Sequence, residues 1–413
     1  MSRPPPPSGR PGSGGSPFHH GSHRHLLAAG RTSAPLGRVD ALVVPTARRS
    51  AALRHVAGLA RALAVPLVAL CSRWANAEAA ARAADAAGAA LLAIDVPEAR
   101  SMALPALATT DLLADTKFER RTDVSAKRNL GLLIARMVGW RRIVFLDDDI
   151  TVADRGDLLR AARLLDVYDG VGLSIGGFPD NSVVCHAHRR TGGYQETFIG
   201  GGALAVDPVR TTSFFPDIYN DDWFYLLDDK RLRRVAVTGR AFQAPYDPFA
   251  HPDRARAEEL GDVLAEGVYS LLDVGGTVRQ ADRAFWVGFL GRRRRFIDDV
   301  TRRVERCPDT PERHRMTLSL KAAYGRLQFI TPDLCADYLH AWLADRTRWR
   351  RFARRLPTPV RLEQALTLAG LESREIVVRR MGAGGHGYHK LYQSSSYLGV
   401  RDEWTTSGSL GHS

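Results

Sequence analysis

DVSAKRNLGLLIARMVGWRRIVFLDDDI, residues 123–150, decides how this chain is read. Apolar residues at helical spacing lead through a short joint to an apolar run, Ile143-Val144-Phe145-Leu146, which stops at three consecutive aspartates. The pattern is helix, joint, buried strand. The acids stand at the strand's C-terminal edge, where open α/β sheets bind ligands. Adjacent carboxylates repel one another unless a cation offsets them. At an extended strand end Asp147 and Asp149 point to the same side, and a hard divalent ion takes such oxygens while leaving positions for phosphates. The simpler alternative is an aspartate capping the next helix, although Thr151 or Asp154 is better placed for that. Lys127 and Arg128, at the start of the preceding helix, form either a solvated basic turn or an anion cradle built on free N–H groups and the helix dipole.

Upstream, Ala41-Leu42-Val43-Val44 reads as a buried strand ended by Pro45-Thr46. Residues 50–63 read as a helix, 67–71 as a strand, 75–89 as an Ala-rich helix and 91–94 as a strand ending at Asp95. Downstream, a helix over 155–166 and a strand over 170–175 continue the alternation. Such alternation implies a parallel, doubly wound sheet. Residues 176–203 are loop-rich and glycine-dense, the composition of an active-site flank. A helix near 221–229 and a strand near 233–238 follow, and from Arg254 the reading is helical: roughly 254–274, 277–305, 310–326 and 331–355. No internal repeat is found. The expected organisation is a disordered tail over 1–38, an α/β domain over 39–275, a helical region over 276–372 and a flexible tail over 373–413.

The 413 residues suffice for one large or two medium domains, and 45% apolar with 25% charged content is that of a soluble globular protein. A net charge of +13 and a pI near 10.0 favour anionic partners: nucleotides, phosphorylated acceptors, nucleic acid or a membrane surface. Cys71, Cys185, Cys307 and Cys335 are scattered without a CxxC, which suggests reduced thiols and a cytoplasmic setting. There is no long apolar span and no apolar signal-peptide region, so the expected location is cytoplasmic, with a peripheral place at the inner membrane face compatible with the charge. The arginines at 292–295, 302–303 and within 346–355, interleaved with Trp342, Trp349 and Phe352, read as solvated helix faces or as a surface for an anionic acceptor or membrane. The histidines His19, His20, His23 and His25 could hold a metal, but their setting reads as a flexible tail. Cys185-His186-Ala187-His188 has poor spacing for zinc and reads as loop or strand. Gly382-Ala383-Gly384-Gly385-His386-Gly387 fits GxGxxG by letter but lacks a following helix.

The run 125–150 resembles the signature of GT-A glycosyltransferases of the family-2 type, which have a Rossmann-like nucleotide-sugar domain and a DxD metal motif after the fourth strand. Further pieces agree in order and spacing. Val44-Pro45-Thr46 ends the first strand, where that family binds the nucleoside. Gly200-Gly201-Gly202-Ala203 matches its glycine loop before the acceptor site. Asn220-Asp221-Asp222-Trp223 resembles its acidic ED/EDW element, with Asp221 in place of the usual Glu. The resemblance covers about residues 39–275.

It implies an α/β fold of the GT-A type with a helical C-terminal extension. The implied enzyme is a metal-dependent glycosyltransferase moving a sugar from a UDP- or GDP-sugar to a hydroxyl acceptor, with inversion; the acceptor would be phosphorylated or an envelope glycan. Pro45, Thr46, Ser72, Asp95, Lys127, Asp147 and Asp148 would meet the nucleotide-sugar. Gly200, Gly201, Gly202, Asp221 and Trp223 would meet the acceptor. Asp147, Asp149 and His251 would hold Mg²⁺ or Mn²⁺, and Asp222 would be the catalytic base. Several of these have simpler readings. Asp95 ends a strand, where aspartate is common; His251 lies in a turn-like YDPFAHP; Asp221 and Asp222 would also serve as cap and first-turn acids of a helix. A sugar-phosphate nucleotidylyltransferase is the rival enzyme, but Pro45-Thr46-Ala47-Arg48 lacks its G-x-G-T-R-like loop. A non-enzymatic binder of nucleic acid or another anionic polymer leaves the acid triplet unexplained and has no DNA-binding motif to support it, so no nucleic-acid partner is expected.

Overall fold

A computed structural model describes residues 15–30, 36–371, 376–379 and 389–390; the glycine run 382–387 lies outside them. The protein is mixed α/β, and its internal contacts divide it into two units. Of the described residues, one unit holds those within 26–178, 199–245 and from 337 onward; the other holds 15–25, 179–198 and 246–336. This division does not coincide with boundaries at 38 and 275. Residues 179–198, in the stretch read as loop, group with the helical unit and contain a helix, Val183–Arg190, capped by the Ser182 side chain.

The first unit is built on an 11-stranded sheet. Its strands are β1 (Ala28–Ala29), β2 (Ala41–Thr46), β3 (Leu67–Cys71), β4 (Leu91–Asp95), β5 (Ile143–Leu146), β6 (Ile150–Thr151), β7 (Gly170–Gly177), β8 (Ala203–Val206), β9 (Val235–Gln243), β10 (Ile376–Arg379) and β11 (His389–Lys390). The order is β1-β9-β7-β8-β5-β2-β3-β4-β10-β11, with β6 on β9. Every residue of β2, β3 and β5 is buried. That is why these strands read as unbroken apolar runs rather than alternating ones, each buried aliphatic side chain contributing about 1.5–3 kcal/mol.

The expected parallel sheet is present from β4 through β3 and β2 to β5. It is corrected at β8, which runs antiparallel to both β5 and β7, and at β10, antiparallel to β4. Strand direction is a long-range property that local periodicity does not carry. The segments expected to be disordered also need correction. Within residues 1–38, Ala28 and Ala29 pair with Ala236 and Val237 of β9, and His23 is buried. Within 373–413, β10 extends the sheet.

The chain runs outward from β2 to β3 and β4, then returns through the helix Val124–Val138 to place β5 on the opposite side of β2. That reversal is the switch point at which open α/β sheets form a ligand crevice beyond the strands' carboxyl ends. The helix stops at Gly139, whose φ of 87° lets its N–H cap the carbonyls of Ala135 and Arg136.

The helical unit is formed by Val183–Arg190, Pro252–Asp273, Arg283–Glu305 and Pro311–Leu327. Inside it, Arg293 is buried and forks onto Glu259 at 2.8 Å from both Nε and Nη2, with Asp262 at 2.7 Å. In the sheet unit Arg346 is buried on Asp229 at 2.6 Å, and Trp342 and Trp349 are core residues. These members of the arginine-rich stretches are internal braces and packing, not an exposed anionic-partner surface. No helix among the described residues is long and apolar enough to cross a membrane.

Candidate active site

The acid triplet occupies a turn. The strand ends at Leu146, and Ile150 N–H closes back on the Asp147 carbonyl at 3.1 Å. The same-side alternation expected of an extended strand end therefore does not apply. Instead, the Asp149 carbonyl accepts from Ala244 N–H at 2.9 Å, and the three side chains divide between two guanidiniums. Asp148 accepts from Thr46 Oγ1 at 2.7 Å and from Arg48 at 2.6 Å; the same guanidinium reaches Asp149 at 2.8 Å. Asp147 accepts from Arg128 at 3.2 Å on each oxygen. The cations that offset the triplet's repulsion are thus two arginines. Asp147 sits above the ordinary carboxylate value: burial raises it, Arg128 opposes, and Asp149 and Asp148 add to the rise.

Antiparallel β8 completes the site. Because Ala203 pairs with Leu146, the residues before Ala203 land beyond the end of β5, and Asp147 N–H bonds the Gly202 carbonyl at 3.0 Å. Gly201 N–H donates to Asp222 Oδ2 at 2.6 Å. A Cβ on Gly200 would lie 2.6 Å from that same oxygen, and one on Gly201 would collide with the Arg128 guanidinium carbon. The glycines are therefore required by close approach. Gly201→Ala is expected to cost about 1–3 kcal/mol in a denaturant titration, as overpacking does, by displacing Arg128.

Asp221 and Asp222 open the short helix Asp221–Tyr225, after Asn220 in a left-handed conformation with φ 61°. They have different surroundings. Asp221 is buried, with Ser125 Oγ donating to one oxygen and Arg128 Nη1 to the other, both at 2.8 Å. Both its oxygens are committed inside the protein, a poor arrangement for touching an acceptor. Asp222 is half-buried and lies against the glycine loop. Trp223 is half-buried beside it.

Lys127 is buried, with Nζ donating to the Thr46 carbonyl at 2.8 Å and Ser72 Oγ at 2.6 Å, and Asp123 at 3.2 Å. Burial lowers its pKa, against the pull of Asp123. It ties the ends of β2 and β3 together rather than projecting into solvent. Pro45 and Thr46 are buried within β2. Asp95 accepts from Ala77 N–H at 2.8 Å, at the start of the helix Ala77–Ala87, which is the simpler of its two readings. His251 belongs to the other unit, exposed and just before the helix Pro252–Asp273.

Sequence reasoning missed Arg48, Ser125 and the central place of Arg128. A signal for Arg128 existed: it shares a helix face with Leu132 and Ala135 at i+4 and i+7, and an arginine on a buried face needs carboxylates. Asp217, four residues before Asp221, was also missed. Its Oδ1 is buried with no hydrogen-bond partner among the described residues. Burial pushes this acid up to about 6, opposed by Arg120 and reinforced by Asp221, Asp123 and Glu119. A carboxyl raised on folding favours the folded state when protonated and penalises it as pH climbs from the unfolded value of 3.8 through about 6. Asp217→Asn is expected to stabilise the protein by about 1–2 kcal/mol at neutral pH, with the gain vanishing near pH 4, in paired denaturant titrations.

No protein-family model and no curated protein matches the chain. Among solved structures it is similar to a mycobacterial protein, at 17% identity and TM-score 0.37 over 56% of this chain and 75% of that one. It is also similar to a mannosyltransferase from Pyrobaculum calidifontis solved with GDP-Man and Mn²⁺, at 15% identity and TM-score 0.33 over 82% of this chain and 90% of that one. Likeness at this level leaves the functional reading to the site itself.

Proposed function

We propose that this protein is a glycosyltransferase that moves a sugar from a nucleotide diphosphate to an acceptor hydroxyl, with inversion, in the GT-A manner. One observation carries the reading. The end of β2, the acid turn after β5, the glycine loop before β8 and the Asp221-Asp222 pair converge at the sheet's switch point: Thr46 bonds Asp148, Arg128 joins Asp147 to Asp221, and Gly201 bonds Asp222. Segments about 155 residues apart in sequence, from Thr46 to Gly201, meet there, and a ligand crevice is expected at that place in the fold.

The donor set suits Mg²⁺ or Mn²⁺. Asp147 and Asp149 supply hard carboxylate oxygens, their side chains 32% and 19% exposed, beside a half-exposed Arg48 that can turn away. When bound, such an ion supplies positive charge against the departing diphosphate. His251 as a further ligand rests on the family resemblance alone. Arg48 is suited to a phosphate oxygen, since its fork already spans two carboxylates. Lys127 holds Thr46 and Ser72 in place as walls of the nucleoside pocket. Asp222, aimed by Gly201 N–H, takes the proton from the acceptor hydroxyl as that oxygen attacks the anomeric carbon. Asp221 acts as a positioning residue through Arg128. The acceptor is taken to be phosphorylated or an envelope glycan, in keeping with the net charge of +13.

The test is a panel of UDP- and GDP-sugars scored for Mn²⁺-dependent hydrolysis and thermal shift. One donor that stabilises the protein and is cleaved supports the reading; no response to any donor overturns it.

A further inference from the structure

The histidines near the N-terminus gather around one carboxylate in the helical unit. His20 Nδ1 lies 3.0 Å and His23 Nδ1 2.7 Å from Asp273 Oδ2, and His25 Nε2 lies 3.3 Å from Oδ1. The ligand atoms of His20, His23 and Asp273 all fall within 4.8 Å of one another. Asp273 is the last residue of the helix Pro252–Asp273; its side chain is 8% exposed, and Oδ1 accepts no hydrogen bond among the described residues.

The arrangement is built rather than fortuitous. Glu196 N–H donates to the Gly21 carbonyl at 2.7 Å and Ser22 bonds the Glu196 carboxylate, so the segment bearing the histidines is anchored independently of them. The outer nitrogen of His23, Nε2, faces Glu266 Oε2 at 3.1 Å, two helical turns before Asp273 on the same face. A carboxylate on the far nitrogen of a ligating imidazole is the usual support of a metal-bound histidine. His20 and His25 are 53% and 52% exposed and leave a route in from solvent. The adjacent group His19, Cys185 and Glu266 is spoken for: His19 bonds Gln195 and Glu266 bonds His23.

We propose that His20, His23 and Asp273 form a binding site for a zinc-class divalent transition metal, with the half-exposed His25 beside it on the other carboxylate oxygen, and that the metal fastens the N-terminal segment to the helix Pro252–Asp273. Two imidazole nitrogens and one carboxylate oxygen are three ligands of a zinc donor set, and His25, 3.3 Å from the second carboxylate oxygen and half-exposed, is the protein group that can swing in as the fourth. The assignment is independent of the proposed transfer activity.

The experiment uses the full chain, stripped with chelator and titrated with Zn²⁺ by calorimetry and with Co²⁺ by visible absorption. Wild type is expected to take up one equivalent at this site and to give the intense Co²⁺ bands of tetrahedral coordination. His20→Ala/His25→Ala, at half-exposed positions, is expected to weaken binding more than about 100-fold while the metal-free protein still folds, as checked by its circular dichroism and a cooperative unfolding transition. His314→Ala/His340→Ala, at exposed histidines elsewhere, is expected to bind as wild type does. Absence of the equivalent in wild type, its survival in the first double variant, or its loss in the second overturns the proposal.

Discussion

Asp222→Asn is expected to lower the proposed transfer about 10²–10⁴-fold, the range that a general base contributes, and to leave the dissociation constant for the donor unchanged. The variant is a sharp one because its shape is nearly that of the original. Asp222 receives Gly201 N–H at 2.6 Å on Oδ2 and Trp223 N–H at 2.9 Å on Oδ1, and the asparagine carbonyl can take over the first of these. The glycine loop therefore keeps its seat and the acid turn, held by Arg48 and Arg128, is untouched. What disappears is basicity. The check is turnover with saturating donor alongside donor binding by calorimetry. A fall in kcat with unchanged donor binding supports Asp222 as the base. Turnover within a factor of a few of wild type would move that role elsewhere in the site.

The elements whose signals are local were legible in the sequence. Ile143-Val144-Phe145-Leu146 announced a buried strand because strands covered on both faces are apolar throughout, and the helix Val124–Val138 announced itself by its period. What escaped was whatever depends on partners far along the chain. β8 is only Ala203–Val206, too short to carry a period, yet its antiparallel pairing delivers the glycine loop to Asp147. Asp221 and Asp222 look alike as letters. One is buried on Ser125 and Arg128 and the other meets the glycine loop, a difference made by residues about 20 and 95 positions away. Three adjacent carboxylates do require cations, and the sequence pattern points to a metal; Arg48 and Arg128, distant along the chain, supply positive charge at the same place. The helix Val183–Arg190 hid in a glycine-flanked stretch whose His and Cys residues suggested loop, although His186 and His188 are buried in it.

Arg128 is the residue on which both halves of the site depend, and its removal is expected to have the largest effect on stability. Its guanidinium is buried, with 6% of the side chain exposed, between Asp221, equally buried at 2.8 Å, and the more open Asp147 at 3.2 Å. Burial alone would push the guanidinium down, but Asp221, Asp147 and Asp222 outweigh it and hold its pKa above the ordinary value. A buried pair of this kind contributes little net, since desolvation offsets much of the attraction. Breaking it is another matter: Arg128→Met leaves Asp221 buried with Ser125 as its remaining side-chain partner, at an expected cost of about 3–5 kcal/mol in denaturant unfolding. Neutralising the stranded acid should recover much of that loss, so Arg128→Met/Asp221→Asn is expected to be more stable than Arg128→Met by at least about 1 kcal/mol. Both variants release Asp147 from its guanidinium and are expected to lose transfer alike, because refolding the buried pair as a neutral one does not rebuild the acid turn. Strictly additive losses in the double variant would mean that Arg128 and Asp221 are not coupled. Recovered stability without recovered activity is the outcome that separates the brace from the chemistry it positions.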